Sequence, residues 1–140
     1  MSDIEGICVP PPLVSTLWDS VSPLINSALG ASGLTTLTEV ERELLAGHML
    51  LWIATDGTKI EATAVTQLSM VENRCGAMIK TGTIVACGGK GIDRFSHMIR
   101  QLHDYFREEG CTRSRIIGRP GWARFYPDYK LRSVILEKEL

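Results

Sequence analysis

Thr83-Ile84-Val85-Ala86-Cys87-Gly88-Gly89-Lys90-Gly91 is the stretch that decides the fold. It reads as an apolar strand over 83–87 running straight into a glycine turn over 88–91. An amphipathic helix follows from Ile92 to Glu109, with Ile92, Phe95, Met98, Ile99, Leu102, Tyr105 and Phe106 on one face. Strand, glycine turn, helix is an arrangement that gathers backbone N–H groups and a helix N-terminus around an anion. Asp93 also falls in the helix's first turn, where a carboxylate satisfies the helix dipole and repels a phosphate.

Beyond that helix, Gly110 closes the element and Arg113 to Gly118 reads as a short strand. A brief helical segment carries Phe125 and Tyr126, and a last strand is expected from Leu131 to Lys138. Working back toward the N-terminus, Cys75 to Cys87 forms one long strand with Gly82 as a possible bulge. Glu72-Asn73-Arg74 marks a turn before it, and Asp56-Gly57 separates Met49–Ala54 from Lys59–Met70 as a hairpin. Thr38-Glu39-Val40-Glu41 fits a capping box for a short helix ending near Ala46, with Gly47 as its closing glycine. A longer apolar helical pattern fills Leu13 to Leu29, either kinked or split at Pro23. Ile4, Ile7 and Val9 suggest a short edge strand ahead of Pro10-Pro11-Pro12.

The 140 residues are expected to make a single domain, 1–140. With 44% apolar and 22% charged residues the composition is that of an ordinary globular protein. No apolar run is long enough for a membrane span, and no signal pattern opens the chain, so a cytoplasmic location is expected. Cys8, Cys75, Cys87 and Cys111 contain no CxxC pair, and His48, His97 and His103 lack ligand spacing, so no metal site is expected. Charge is uneven: residues 1–60 hold seven acids against two bases, and residues 61–140 hold nine acids against thirteen bases. The basic half suits an anionic ligand or an acidic partner, but no aromatic-interleaved basic run points to sequence-specific nucleic-acid binding.

The order helix–helix–strand–strand–strand–glycine turn–helix–strand–short helix–strand resembles the Gcn5-related N-acetyltransferases, the GNAT superfamily. The resemblance covers Pro12 to Leu140. It implies an α+β fold: a central, mostly antiparallel twisted sheet, two N-terminal helices, one long helix after the glycine-rich turn, and a short helix before the last strand. The family's Q/R-x-x-G-x-G/A turn is matched by Ala86-Cys87-Gly88-Gly89-Lys90-Gly91, with Ala86 where Gln or Arg stands. By resemblance, Cys87, Gly88, Gly89, Lys90, Gly91 and Ile92 would cradle the pyrophosphate of acetyl-CoA. Ala123-Arg124-Phe125-Tyr126 echoes the family's A-x-x-F-Y segment, which makes Tyr126 the candidate general acid.

A narrower likeness is to small GNAT-like proteins of tailed phages and prophages, carried by IVACGGKGIDRF, GRPGWARFYPDYK and VILEKEL. Glu61 and Glu72 flank the third strand, and Glu61 is the candidate base. Arg113, Arg115, Arg119 and Arg124 form a basic run suited to a phosphate or an acidic partner surface. Two functions follow. In one, the chain is a non-catalytic virion or assembly component, needing no cofactor and binding other phage proteins or itself. In the other, it transfers acetyl groups from acetyl-CoA to a small amine or a host protein. The missing Gln or Arg, Asp93, and Pro127 directly after the tyrosine tilt the expectation toward the first.

Overall fold

A computed structural model describes residues 5–30, 35–89, 95–118 and 122–140. Its strands are β1 (Glu5–Val9), β2 (Leu50–Thr55), β3 (Ile60–Glu72), β4 (Met78–Gly89) and β5 (Arg113–Ile116). The helices are α1 (Pro11–Leu29), α2 (Leu37–Leu45), α3 (Phe95–Glu108) and α4 (Trp122–Phe125). The strands form one sheet in the order β1-β2-β3-β4-β5. The first four pair antiparallel, and β5 joins β4 in parallel after the α3 crossover. This is the expected α+β architecture.

Alternation along β2 explains why both sheet faces are covered. Leu51 and Ile53 pack beneath α1 and α2 with Val14, Val21, Ile25, Leu29, Val40 and Leu44. Their neighbours Trp52 and Ala54 pack beneath α3 with Met98, Ile99, Leu102 and Phe106. A period of two sends successive side chains to opposite faces, so a central strand between two helical layers is apolar throughout. The Trp52 indole N–H, buried in the α3 layer, donates to Thr66 Oγ1 at 2.9 Å.

Helix α1 runs unbroken through Pro23. Val14, Val21, Ile25 and Leu29 keep one buried stripe along its whole length, so packing on the sheet holds both halves in line. Helix α2 is capped two residues earlier than the sequence suggests. Thr36 Oγ1 accepts from Glu39 N–H at 3.2 Å. Thr36-x-x-Glu39 carries the same local signal as Thr38-x-x-Glu41. Gly47 (φ 81) and Gly110 (φ 84) end their helices in the left-handed region that a Cβ disfavours.

Both hairpins follow from turn chemistry. Asn73 Oδ1 accepts from the N–H groups of Cys75 and Ala77, each at 2.9 Å. Asp56 Oδ1 accepts from Thr58 N–H at 2.8 Å, Thr58 Oγ1 at 2.7 Å and Lys59 N–H at 3.0 Å. The Thr58 bonds, side chain first, then that of Lys59 hold the Asp56 carboxyl at about 2, below its ordinary value. A depressed carboxyl stabilises the fold above its unfolded-state pKa and loses that contribution as pH falls through the folded value. Asp56→Ala is therefore expected to lower the urea midpoint at neutral pH, with the gap to wild type closing between pH 4 and 2. A gap that stays constant across that range would show that the turn does not depend on the ionised carboxylate.

Three expectations are corrected. Gly82 makes no bulge; Val85 is the unmatched residue of β4, where the register steps between Val65 and Thr66. A Cβ on Gly82 would overlap the ring of Phe106, so glycine there admits α3 to the sheet. β4 spans Met78–Gly89, so Gly88 and Gly89 are paired strand residues opposite Thr63 and Ala62, ahead of any turn. The expected last strand over Leu131–Lys138 does not form. Residues 131–140 adopt no regular element, and Leu136 is 92% exposed. Apolar, β-branched composition specifies a strand only where an edge accepts it, and this segment pairs with none of the described strands.

Candidate active site

The parallel pair of β4 and β5 is short. Register runs from Thr81–Arg113 to Ile84–Ile116, and Ile117 N–H donates to Ile84 C=O at 3.0 Å. β4 continues for five more residues, Val85 to Gly89, with β3 on one side and no described strand on the other. The two strands thus part at Ile84, and the bulged Val85 is the first residue past the parting. An unpaired strand edge displays N–H and C=O groups to whatever lies alongside.

Tyr126 follows α4, on a turn that Tyr129 ties to Ser114 of β5. It packs against the α3-side core, stacked on Trp122 with ring centroids 5.9 Å apart. Its hydroxyl oxygen is buried and has no hydrogen-bond partner among the described residues. Burying a hydroxyl without a partner is costly; among the described residues Thr81 Oγ1 is the other such side-chain atom. Pro127 does not disturb this arrangement. α4 ends at Phe125, and Tyr129 N–H donates to Tyr126 C=O at 2.9 Å, which makes 126–129 a turn with proline at its second position.

That turn is anchored by a residue the sequence reading missed. Tyr129 Oη lies 2.5 Å from His103 Nε2 and 2.6 Å from Ser114 Oγ, joining α3, β5 and the turn. Burial, then Arg107, holds the His103 pKa below its ordinary value, so the imidazole is neutral at pH 7. Burial likewise raises Tyr129, so its hydroxyl stays protonated. The contact joins residues 26 and 15 positions apart, with no local motif to announce it.

Glu61 is 7% exposed and lies on β3 next to the Gly89 end of β4. It is the unmatched residue of β3, between Ile60 (opposite Thr55) and Ala62 (opposite Ala54 and Gly89). Bulges re-aim side chains, and here the bulge carries the one buried carboxylate among the described residues. Tyr126 and Glu61 therefore lie by different strand ends, one beside β5 and one beside the end of β4.

Of the expected cofactor residues, Lys90, Gly91 and Ile92 lie outside the described residues. A Cβ on Gly88 would stand 2.5 Å from the Leu24 carbonyl oxygen of α1, and one on Gly89 would stand 2.6 Å from the Glu61 carbonyl oxygen. Both glycines thus admit close backbone neighbours, whatever else they do. Substituting either disturbs packing first, so loss of ligand binding in such a variant would not isolate a phosphate contact. Burial pushes the Cys87 thiol up to about 12, which leaves it protonated and without nucleophilic character. The basic run divides. Arg113 and Arg115 share a groove with Arg74 and Arg132, Arg124 is exposed on α4, and Arg119 lies outside the described residues.

No protein-family model and no curated protein matches the sequence. Solved structures do match over nearly the whole chain. A GNAT family acetyltransferase of Staphylococcus aureus superposes with a TM-score of 0.68 at 14% identity, covering 100% of both chains. A predicted acetyltransferase of Clostridium acetobutylicum, solved with acetyl-CoA, gives 0.65 at 15% identity over 98% of this chain and 95% of that one. An aminoglycoside acetyltransferase from an uncultured soil metagenomic sample gives 0.69 at 10% identity over 99% and 97%. The fold is that of the GNAT acetyltransferases. These likenesses overturn the expectation of a non-catalytic virion or assembly component: two of these GNAT-fold proteins are described as acetyltransferases and the third, solved with acetyl-CoA, as a predicted one. The tilt away from an enzyme goes with it, since Pro127 proves compatible with the Tyr126 turn.

Proposed function

We propose that this chain is an acetyl-CoA-dependent N-acetyltransferase. The observation that carries the reading is the buried, unpartnered hydroxyl of Tyr126, on the turn that Tyr129 ties to Ser114 of β5. The free edge of β4 from Val85 to Gly89 offers backbone N–H and C=O groups to the amides of the cofactor's arm. Gly89, Lys90, Gly91 and Ile92 are the residues for its pyrophosphate, with Lys90 adding positive charge. Acetyl-CoA, when bound, supplies an activated acetyl thioester. Tyr126 then has the role of general acid, donating its proton to the departing sulfur, which gives the orphaned hydroxyl a partner. The neutral His103 and Ser114 hold Tyr129, and through it the turn that presents Tyr126. Glu61 is the candidate base for the acceptor amine.

Calorimetric titration of acetyl-CoA into the purified protein, with CoA as the comparison, tests the reading without relying on turnover. Binding in the micromolar range and a ligand-dependent rise in thermal midpoint are expected. Absence of binding at millimolar acetyl-CoA would end it. A thiol-release assay over a panel of amines would then identify the acceptor.

A further inference from the structure

A second feature of the sheet lies at the opposite end of β4 from its glycines. An open groove of about 560 Å³ is bordered by Arg74, Arg113, Arg115 and Arg132, with Glu72 as the one acid and Asn73 beside it. Three separate parts of the chain supply the arginines: the β3–β4 hairpin, β5 and the C-terminal segment. Arg113 and Arg115 stand two apart on β5, in register with Thr81 and Thr83, so both project from one face. Among the described residues no ion pair engages any of the four guanidiniums.

Four like charges around one groove, offset by a single carboxylate, repel one another unless an anion lies between them. The guanidinium fork is shaped for the paired oxygens of phosphate and carboxylate. The volume is that of a small-molecule site. Its position is equally informative. Thr81, level with Arg113, lies seven residues from Gly88, roughly 23 Å along an extended strand, so the groove is well removed from the cofactor turn. Arg115 is level with Thr83, one residue before Ile84, where β4 and β5 part. The groove therefore leads up to the parting and stops beside it.

We propose that the arginine groove binds the anionic end of the acetyl acceptor, and that the acceptor is a small amine carrying two or more negative charges as phosphate or carboxylate. Arg74, Arg113 and Arg132 hold the charged end, and Arg115 directs the amine toward the parting. This specificity rests on the acetyltransferase reading; the anion site itself does not.

The test has two arms so that the two ideas fail separately. In the first, pyrophosphate and citrate are titrated into the protein at low ionic strength, with and without saturating acetyl-CoA. Both variants, Arg115→Gln and Arg113→Gln/Arg132→Gln, alter half-buried or exposed side chains and are expected to keep the wild-type thermal midpoint. Binding of one or both anions is expected, about tenfold weaker for each guanidinium removed and unaffected by acetyl-CoA. Preference for pyrophosphate or for citrate distinguishes a phosphorylated acceptor from a carboxylated one. Equal affinity in wild type and variants, or displacement by acetyl-CoA, would overturn the site.

In the second arm, acetyl transfer to phosphoethanolamine and glutamate is compared with transfer to spermidine. The anionic amines are expected to be preferred by wild type, and that preference is expected to collapse in Arg115→Gln through KM. A preference for spermidine, or one indifferent to Arg115, would overturn the acceptor class. Anion binding without transfer to any amine would leave the groove standing, with its ligand no acetyl acceptor, and overturn the acetyltransferase reading.

Discussion

Replacing Tyr126 by phenylalanine is expected to lower turnover about 100-fold or more while leaving acetyl-CoA affinity nearly unchanged. The same substitution is expected to leave thermal stability unchanged or to raise it. The two effects share one cause. The hydroxyl is buried without a partner, so in the free protein it carries a desolvation penalty of about 1 kcal/mol or more that phenylalanine removes. The ring's stacking on Trp122 and its packing against the α3 layer do not involve the hydroxyl. Turnover and melting temperature measured on the same preparation separate the outcomes. Equal turnover would remove Tyr126 from the chemistry. A large fall in melting temperature would mean the hydroxyl has a structural partner.

Phe106→Ala is expected to be the most damaging core substitution, costing about 3–5 kcal/mol. The ring is 2% exposed and lies directly over Gly82, which has no side chain to move into the space it would vacate. Trp52, Ile84, Met98 and Leu102 belong to the same layer and are fixed by the sheet and by α3, so the cavity would persist. Against a typical total of about 5–15 kcal/mol, that loss removes a large share of the fold's stability. A urea titration reads it as a shift in midpoint. Phe106→Leu, which keeps most of the volume, should recover over half of the loss. A shift for Phe106→Ala below about 1 kcal/mol would show that α3 and the sheet close up when the ring is removed.

Much of the fold was legible because it is written locally. Asp56-Gly57 and Asn73 specify their hairpins through their own side chains, and the apolar stripe of α3 specifies its face. Features set by distant partners were not legible. The extra residues at Val85 and Glu61 exist only relative to a neighbouring strand, so no single-strand pattern reveals them. Gly82 looked like a bulge because its true partner, Phe106, lies on α3. The capping box read at Thr38 lies two residues past the true cap, Thr36. The tail's composition suggested a strand, yet pairing depends on an edge that composition cannot supply. In the candidate site, Tyr126 was found by motif, whereas Tyr129 and the gathering of Arg74 and Arg132 with Arg113 and Arg115 depend on the fold.

The identity of strand order with chain order has a consequence for how the molecule assembles. β2, β3 and β4 are joined by the short hairpins around Asp56 and Asn73, so they can zip together at little loop-closure cost. β5 must wait for α3 to dock, and then contributes four residues on one side only. β1 likewise reaches β2 only across α1 and α2, so both edge strands are expected to join after the β2–β3–β4 hairpins have formed. The edges of this sheet, rather than its hairpin-joined centre, are therefore where opening is expected to begin.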